Sequence, residues 1–328
     1  MQYKTLGQSG IFVSRLCLGT MNFGPRTQEK DAFRIMDKAF EAGINFFDTA
    51  NIYGGQKDKG RSEKIIGQWL AKNSRKRERV ILATKVNGPM HPEWNDPNDE
   101  HGLSAHKIIH HLEASLKRLQ TDYIDLYQMH HIDRKVTWEE LWGVFENLNA
   151  QGKVVYVGSS NFAGWHLALA QAEAKKRGFL GLVAEQHKYN LLTREPELEV
   201  LPAAEYHQIG ILPYSPLAAG ELTAHAFTGK EGTRSGSGKV KKNVEKHRDQ
   251  ISRYQEICSE LGEDPSHVAL AWLLANPAVT SPIIGPRTEE QLDSALKALN
   301  LPLPVDLMEK LDGIFPGPGR PAPEAYAW

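Results

Sequence analysis

The sequence predicts an α/β fold of the (β/α)8 type. A closed eight-stranded TIM barrel follows an N-terminal β-hairpin, carries long loops at its C-terminal face, and takes up residues 1–328 as one domain. Three observations lead there. Eight short β-rich runs alternate with longer helical patterns, and most begin roughly 30–40 residues apart, the spacing of a strand plus its crossover helix. Several runs are almost continuously apolar, as strands covered on both faces are. An open dinucleotide-binding sheet would carry G-x-G-x-x-G after an early strand. The G-x-G pairs here, Gly236–Gly238 and Gly317–Gly319, do not sit between a strand and a helix. Eight near-equal units therefore favour closure.

The strands are predicted at 16–20, 44–49, 80–86, 124–130, 154–159, 182–186, 209–214 and 281–285. A first helix over 29–42 opens after Thr27 as N-cap and stops at Gly43. The segment 62–72 sets Ile65, Ile66, Trp69 and Leu70 at helical spacing. Over 104–119, Ile108, Leu112, Ser115, Leu116 and Leu119 make one stripe. Thr137-x-x-Glu140 is a capping box ahead of Leu141, Val144, Phe145 and Leu148, and Gly152 ends that helix. Further helices are expected over 165–176, 198–207, 250–261, 266–276 and 288–299.

Two segments break the rhythm. Residues 218–246 form a long stretch rich in Gly, Ser and Lys, either functional or disordered. The tail 316–328 carries four prolines and ends in Tyr326 and Trp328, either a frayed end or a wall over a pocket.

Composition narrows the class. Lys and Arg number 39 against 40 Asp and Glu, so the net charge of −1 argues against a protein built to grip nucleic acid or an anionic membrane. Two cysteines are too few for a disulfide scaffold or a cysteine zinc site. His106 and His110 stand four apart on a helix, but no Glu-bearing metal motif accompanies them, and a solvated face is the better reading. The basic run from Lys72 to Arg79 reads as a solvated face near a helix C-terminus. No cationic-then-apolar leader and no apolar run of membrane-spanning length is present, so a cytoplasmic protein is expected.

In such a barrel, chemistry sits at the C-terminal ends of the strands. Seven of the eight predicted strands deliver a polar residue there after an apolar body. Asp48, Tyr53, Lys85 and His130 make one coherent set. A phenol is a poor acid at neutral pH, and a nearby ammonium favours its ionised form. Lys85 can supply that charge, Asp48 can hold Lys85 as an ion-pair partner, and His130 can polarise a substrate oxygen. The product is a proton donor suited to carbonyl reduction. Taken singly, each residue has a structural explanation: a buried pair, a loop anchor, a satisfied core histidine. The four together are much harder to explain by packing.

The chain resembles the aldo-keto reductase family over most of its length. The resemblance rests on Phe47-Asp48-Thr49-Ala50-x-x-Tyr53-Gly54, Gly60-Arg61-Ser62-Glu63, Ala83-Thr84-Lys85 and Tyr123-Ile124-Asp125-Leu126-Tyr127-Gln128-x-His130, then Gly158-Ser159-Ser160-Asn161-Phe162, Glu185-Gln186-x-x-Tyr189-Asn190 and Pro213-Tyr214-Ser215-Pro216-Leu217. It implies a barrel binding extended NADPH (NADH remains open), with Tyr53 as proton donor, Lys85 and Asp48 as its tuners and His130 as substrate orienter. Ser160, Asn161 and Gln186 resemble the residues that hold the nicotinamide carboxamide, and Tyr214 the aromatic that stacks on the ring. Ser215, Pro216, Leu217 and Gly220 resemble pyrophosphate-side contacts. Gly285, Arg287 and Gln291 resemble the adenosine-phosphate end, where Arg287 would pair with a 2′-phosphate. Gly19, Thr20, Met21 and Asp48 complete the expected cofactor contacts.

The sequence departs from the family where an acidic residue and Asn often contact adenine: Ser294 and Ala295 stand there. A one-residue slip would exchange the faces of His130 and His131, and the Tyr-Gln-x-His pattern selects His130. His131, and the loop 88–102 with His91 and Trp94, are candidate pocket walls. Lys239, Lys241 and Lys242 are either phosphate contacts or an ordinary charged loop. The expected partner is a small-molecule carbonyl substrate, with oligomeric state open. The rival reading is a cofactor-binding regulatory subunit resembling channel-associated beta subunits. A second rival, a barrel hydrolase or isomerase, is disfavoured by the absence of G-x-S-x-G, P-loop and H-E-x-x-H motifs.

Overall fold

The computed structural model describes residues 1–72, 74–228 and 237–319. A hairpin of β1 (Tyr3–Thr5) and β2 (Phe12–Ser14) comes first. Eight parallel strands follow: β3 (Cys17–Gly19), β4 (Phe46–Asp48), β5 (Ile81–Val86), β6 (Ile124–Met129), β7 (Val154–Ser160), β8 (Leu182–Lys188), β9 (Gly210–Tyr214) and β10 (Ile283–Ile284). They pair in chain order, and β10 returns to pair with β3. Backbone bonds just before β10 complete the circle, with Thr280 N–H donating to Ile211 O at 2.8 Å and Val279 bridging to Ile211. The predicted barrel and its hairpin are both present.

The helices are α1 (Glu29–Glu41), α2 (Arg61–Ala71), α3 (Ser74–Arg79), α4 (Ala105–Leu119), α5 (Trp138–Ala150), α6 (Gly164–Lys176), α7 (Val200–Tyr206), α8 (Gly238–Lys246), α9 (Arg248–Glu260), α10 (Pro265–Ala275), α11 (Glu289–Lys297) and α12 (Val305–Ile314). Three of them were not expected, for three physical reasons. Among the described residues of α8, Val240 and Val244, four apart, are the buried ones, too weak a stripe to show through the lysines. α12 lies beyond the last expected helix and buries Leu307, Leu311 and Ile314. α3 has no apolar stripe at all. Its Arg77 pairs with Asp125 at 2.8 Å, donates to Tyr123 O and Val80 O at 2.9 Å each, and lies over the Tyr123 ring. Part of the basic run is therefore a clamp at the entry to β5 rather than a solvated face. At α1 the cap position is Gln28, without a side-chain bond, instead of Thr27.

Strand alternation divides the core in two. Cys17, Phe46, Ala83, Leu126, Ala184, Leu212 and Ile283 fill the inside of the barrel. Leu6 and Val13 of the hairpin segment join this inner cluster and plug the N-terminal mouth. Gly7, at φ 56°, is required there, since a Cβ would lie 2.3 Å from Val183 O. The other faces, with Leu18, Phe47, Leu82, Tyr127 and Ile211, pack against the helices through residues such as Ile35, Ile65, Trp69 and Leu112.

The same two-residue period fixes what reaches inward at the top. Phe46 points in, Phe47 out and Asp48 in; Ala83 in, Thr84 out and Lys85 in; Leu126 in, Tyr127 out and Gln128 in. Each of these three strands thus ends inward in a polar residue above an apolar layer. No helix among the described residues is long and apolar enough to cross a membrane.

Candidate active site

Asp48 and Lys85 meet at the top of the inner layer, both essentially without solvent contact. The Lys85 ammonium donates to Asp48 Oδ2 at 2.6 Å, to Thr49 O at 2.7 Å and to the Tyr53 phenolic oxygen at 3.3 Å. An ammonium has three protons, so these acceptors fix its position. Burial works to lower the Lys85 pKa, but the negative charge of Asp48 and the Tyr53 oxygen outweigh it and hold the ammonium above its ordinary value. The other carboxylate oxygen, Asp48 Oδ1, accepts from Gln128 Nε2 at 3.0 Å and Gln186 Nε2 at 2.9 Å.

Tyr53 stands on a tight loop after β4. Its N–H donates to Ala50 O at 3.0 Å, and its carbonyl accepts from Gly60 N at 2.9 Å. Gly54, at φ 134°, permits the turn, because a Cβ there would lie 2.0 Å from Asp58 O. The His130 ring meets the Tyr53 ring edge-on, with centroids 6.0 Å apart. Burial, the Lys85 charge and the neighbouring imidazoles of His131 and His101 push the His130 pKa well down. It is therefore neutral at pH 7, and its buried Nδ1 has no hydrogen-bond partner. His131 follows on the exposed side and stacks on His130 at 5.2 Å. The alternation that places Leu126 and Gln128 inside thus turns His130, and not His131, toward Tyr53.

The expected cofactor residues gather around this cluster in two groups. Ser160 ends β7, and Asn161 turns away at φ 61°. Asn161 Nδ2 donates to His130 O at 3.1 Å and to Ser160 Oγ at 2.9 Å, while its Oδ1 accepts from the Tyr214 hydroxyl at 2.9 Å. Asn161 N–H also donates to Gln186 O at 3.1 Å, and Gln186 bonds Asp48, so Ser160, Asn161, Gln186 and Tyr214 are linked to the Asp48–Lys85 pair. After β9, Ser215, Ala218, Ala219 and Gly220 all have positive φ, 53°, 46°, 59° and 105°. Such strained, non-glycine left-handed residues concentrate at ligand sites, and successive turns of this kind make anion-binding nests of backbone N–H groups. Pro216 and Leu217 lie within this turn. Thr20 N–H and Oγ1 both donate to Asp48 O at 3.0 Å, between Gly19 and the exposed Met21.

Gly285 and Arg287 leave β10 beside them. The backbone N–H of Arg287 donates to Gln291 Oε1 at 2.8 Å, and among the described residues its guanidinium makes no ion pair. Ser294 instead faces the helix α10, where it bonds His267 Nε2 at 2.9 Å, and Ala295 is buried. The departure from the family pattern at these two positions therefore serves helix packing. Nucleotide chemistry fits this donor set: amides and a flat phenol near the Asp48–Tyr53–Lys85 cluster, a turn of backbone N–H groups suited to diphosphate, and beyond it the Arg287 guanidinium. Residues 229–236, the Lys239 side chain and residues 320–328 lie outside the described residues; Lys241 and Lys242 are exposed.

Sequence reasoning left three supports unassigned. Gln128 holds Asp48. Glu185, fully buried, accepts from Ser159 Oγ at 2.5 Å and Phe162 N at 3.0 Å and so braces the Asn161 turn. Asn190 Nδ2 donates to Ser215 O at 2.9 Å and braces the other turn. The available signal is a polar residue in an apolar strand, or two positions beyond it.

Several imidazoles besides His130 are held neutral. His111 on α4 is pushed down to about 4 by burial and the Lys107 ammonium, against an opposing pull from Asp99. The unfolded chain takes up this proton near pH 6.5, so the folded state loses stability as pH falls from there toward about 4, by up to about 1.4 kcal/mol per pH unit. His111→Gln removes that titration. Its loss of urea stability between pH 7 and pH 5 is expected to be smaller than that of the wild type; an equal loss would contradict the assignment.

Comparison with known proteins gives one consistent result. The profile described as Aldo/keto reductase family matches residues 15–315. The chain is 57% identical to "Uncharacterized oxidoreductase YrpG" of Bacillus subtilis (strain 168), over all of both chains. It is 36% identical to "Aldo-keto reductase AMT2" of Alternaria alternata, over 92% of this chain and 88% of that one. It is 31% identical to "Versiconal hemiacetal acetate reductase" of Aspergillus parasiticus, over 95% and 96%.

Proposed function

Since the chain belongs to the aldo/keto reductase family, and is thus an oxidoreductase, we propose that it is an NADPH-dependent carbonyl reductase converting an aldehyde or ketone to an alcohol, with Tyr53 as proton donor. The observation that carries this reading is the Lys85 ammonium, saturated by Asp48, Thr49 O and the Tyr53 oxygen. When bound, the reduced nicotinamide supplies the hydride that the carbonyl carbon accepts. Tyr53 gives its proton to the carbonyl oxygen. Lys85 stabilises the negative charge developing on the phenolic oxygen, in a site preorganised before substrate arrives. Asp48, gripped by Gln128 and Gln186, holds Lys85 against drift. His130, being neutral, does not compete as the acid and orients the carbonyl oxygen through a ring N–H.

Ser160, Asn161 and Gln186 would hold the carboxamide, Tyr214 would support the ring, and the Ser215–Gly220 turn would take the diphosphate. Arg287 and Gln291 would hold the adenosine phosphate. A charge-assisted bond contributes about 1.5–3 kcal/mol. Arg287→Ala is therefore expected to weaken NADPH binding ~10–100-fold and NADH binding hardly at all. Fluorescence titration with both cofactors checks this, and equal losses would remove Arg287 from the 2′-phosphate.

The reading as a whole is tested by following cofactor absorbance with a panel of aldehydes and ketones, using NADPH and NADH in parallel. Steady oxidation of NADPH with a carbonyl is the expected result. Tight cofactor binding without turnover on any carbonyl would favour a regulatory subunit instead.

A further inference from the structure

We infer that Asp99, His111 and Asn51 form a positioning bridge that holds the β5–α4 loop against the Tyr53 segment and thereby sets which carbonyl substrates the site accepts. The inference rests on the carbonyl-reductase reading of this site.

The loop, residues 87–104, is exposed over nearly all of 91–101, yet Asp99 in its middle is buried. Its carboxylate accepts from Met90 N at 2.9 Å and His91 N at 2.5 Å, closing the neck of the loop. Asp99 Oδ1 also lies 3.3 Å from His111 Nε2. The other ring nitrogen, His111 Nδ1, is 2.9 Å from Asn51 Nδ2. An amide nitrogen can only donate, so Nδ1 accepts and the proton sits on Nε2, pointing at Asp99. One neutral imidazole thus joins the loop to a fully buried residue two positions before Tyr53. Lys107 adds a second tie from α4, donating to Asp99 O at 3.0 Å.

The anchored loop reaches the reacting groups. Its end carries His101, whose Nδ1 lies 3.1 Å from Asn87 Oδ1, and Asn87 Nδ2 donates to His131 O at 3.4 Å. His101 is near enough to help lower the His130 pKa. The bridge therefore holds His101 as one wall of the space beside His130. Asp99 and His111 bond to the loop backbone and to Asn51 and act through the loop, so they are positioning residues. A loosened wall changes the fit of large substrates more than of small ones.

The test uses the whole protein with His111→Leu, which removes both ring contacts, and His111→Gln, whose Oε1 can accept from Asn51 while Nε2 donates to Asp99. Hydrogen exchange over 87–104 is read in both, with steady-state constants for a small aliphatic aldehyde and a bulky aromatic ketone. His111→Leu is expected to speed exchange at Met90 and His91 and to shift KM for the bulky ketone about tenfold, leaving KM for the small aldehyde within about twofold. His111→Gln is expected to restore both. Unchanged exchange, or the same factor on both substrates, overturns the inference. Should His111→Leu fail to fold, Asp99→Asn, which keeps the shape but loses one acceptor, is measured by the same two readouts, and the same results support or overturn the bridge. Exchange needs no turnover, so a wild type that reduces no carbonyl would refute the reductase reading separately.

Discussion

Tyr53→Phe is expected to lower kcat by about 10²–10⁴-fold while leaving the affinity for NADPH within about twofold. The substitution removes one hydroxyl. The loop stays in place because its ties at this residue, to Ala50 O and from Gly60 N, are backbone bonds. Lys85 keeps two of its three acceptors, Asp48 and Thr49 O. The loss should therefore fall on the chemical step, and steady-state kinetics with a parallel fluorescence titration of cofactor separates the two. Turnover near that of the wild type would mean that another group supplies the proton.

Lys85→Met is expected to have the second large effect, and it should appear twice. Without the ammonium, charge developing on the phenol is unsupported, and kcat should fall about 10²–10³-fold. Asp48 is then a buried carboxylate without its counter-charge, a change that typically costs about 3–5 kcal/mol. The two amides on Asp48 Oδ1 keep the loss near the lower end of that range. Adding Asp48→Asn removes the stranded charge. The double variant should thus lose less urea stability than the sum of the single losses, as expected for residues in direct contact. Additive losses would indicate that the pair is not coupled in the folded state.

Much of this could be read from the residues because strand geometry is so restrictive. Once the strands are set, alternation alone sends Asp48, Lys85, Gln128, Ser160 and Gln186 inward above an apolar layer. Tyr53 could not be read that way. It sits on a loop, where no strand period places it, and its chemistry beside a lysine and the family motif are what point to it; the bond to Lys85 is a matter of tertiary structure. The supports at Glu185 and Asn190 were hidden for a related reason, because they act on backbone turns whose positive φ values no composition signal reveals. The short helices were missed where the apolar stripe is narrow, as in α8, or where an arginine clamp replaces it, as in α3. The bridge through His111 joins residues sixty positions apart along the chain, and no local pattern announces such a contact.

The most direct test is an isotope experiment on the wild type and Tyr53→Phe. Single turnovers with cofactor deuterated at the transferable position are run in light and heavy water. Transfer of deuterium to the carbonyl carbon, with a solvent isotope effect on the same step that disappears in Tyr53→Phe, is the predicted result. A solvent isotope effect of the same size in both proteins would show that the proton does not come from Tyr53.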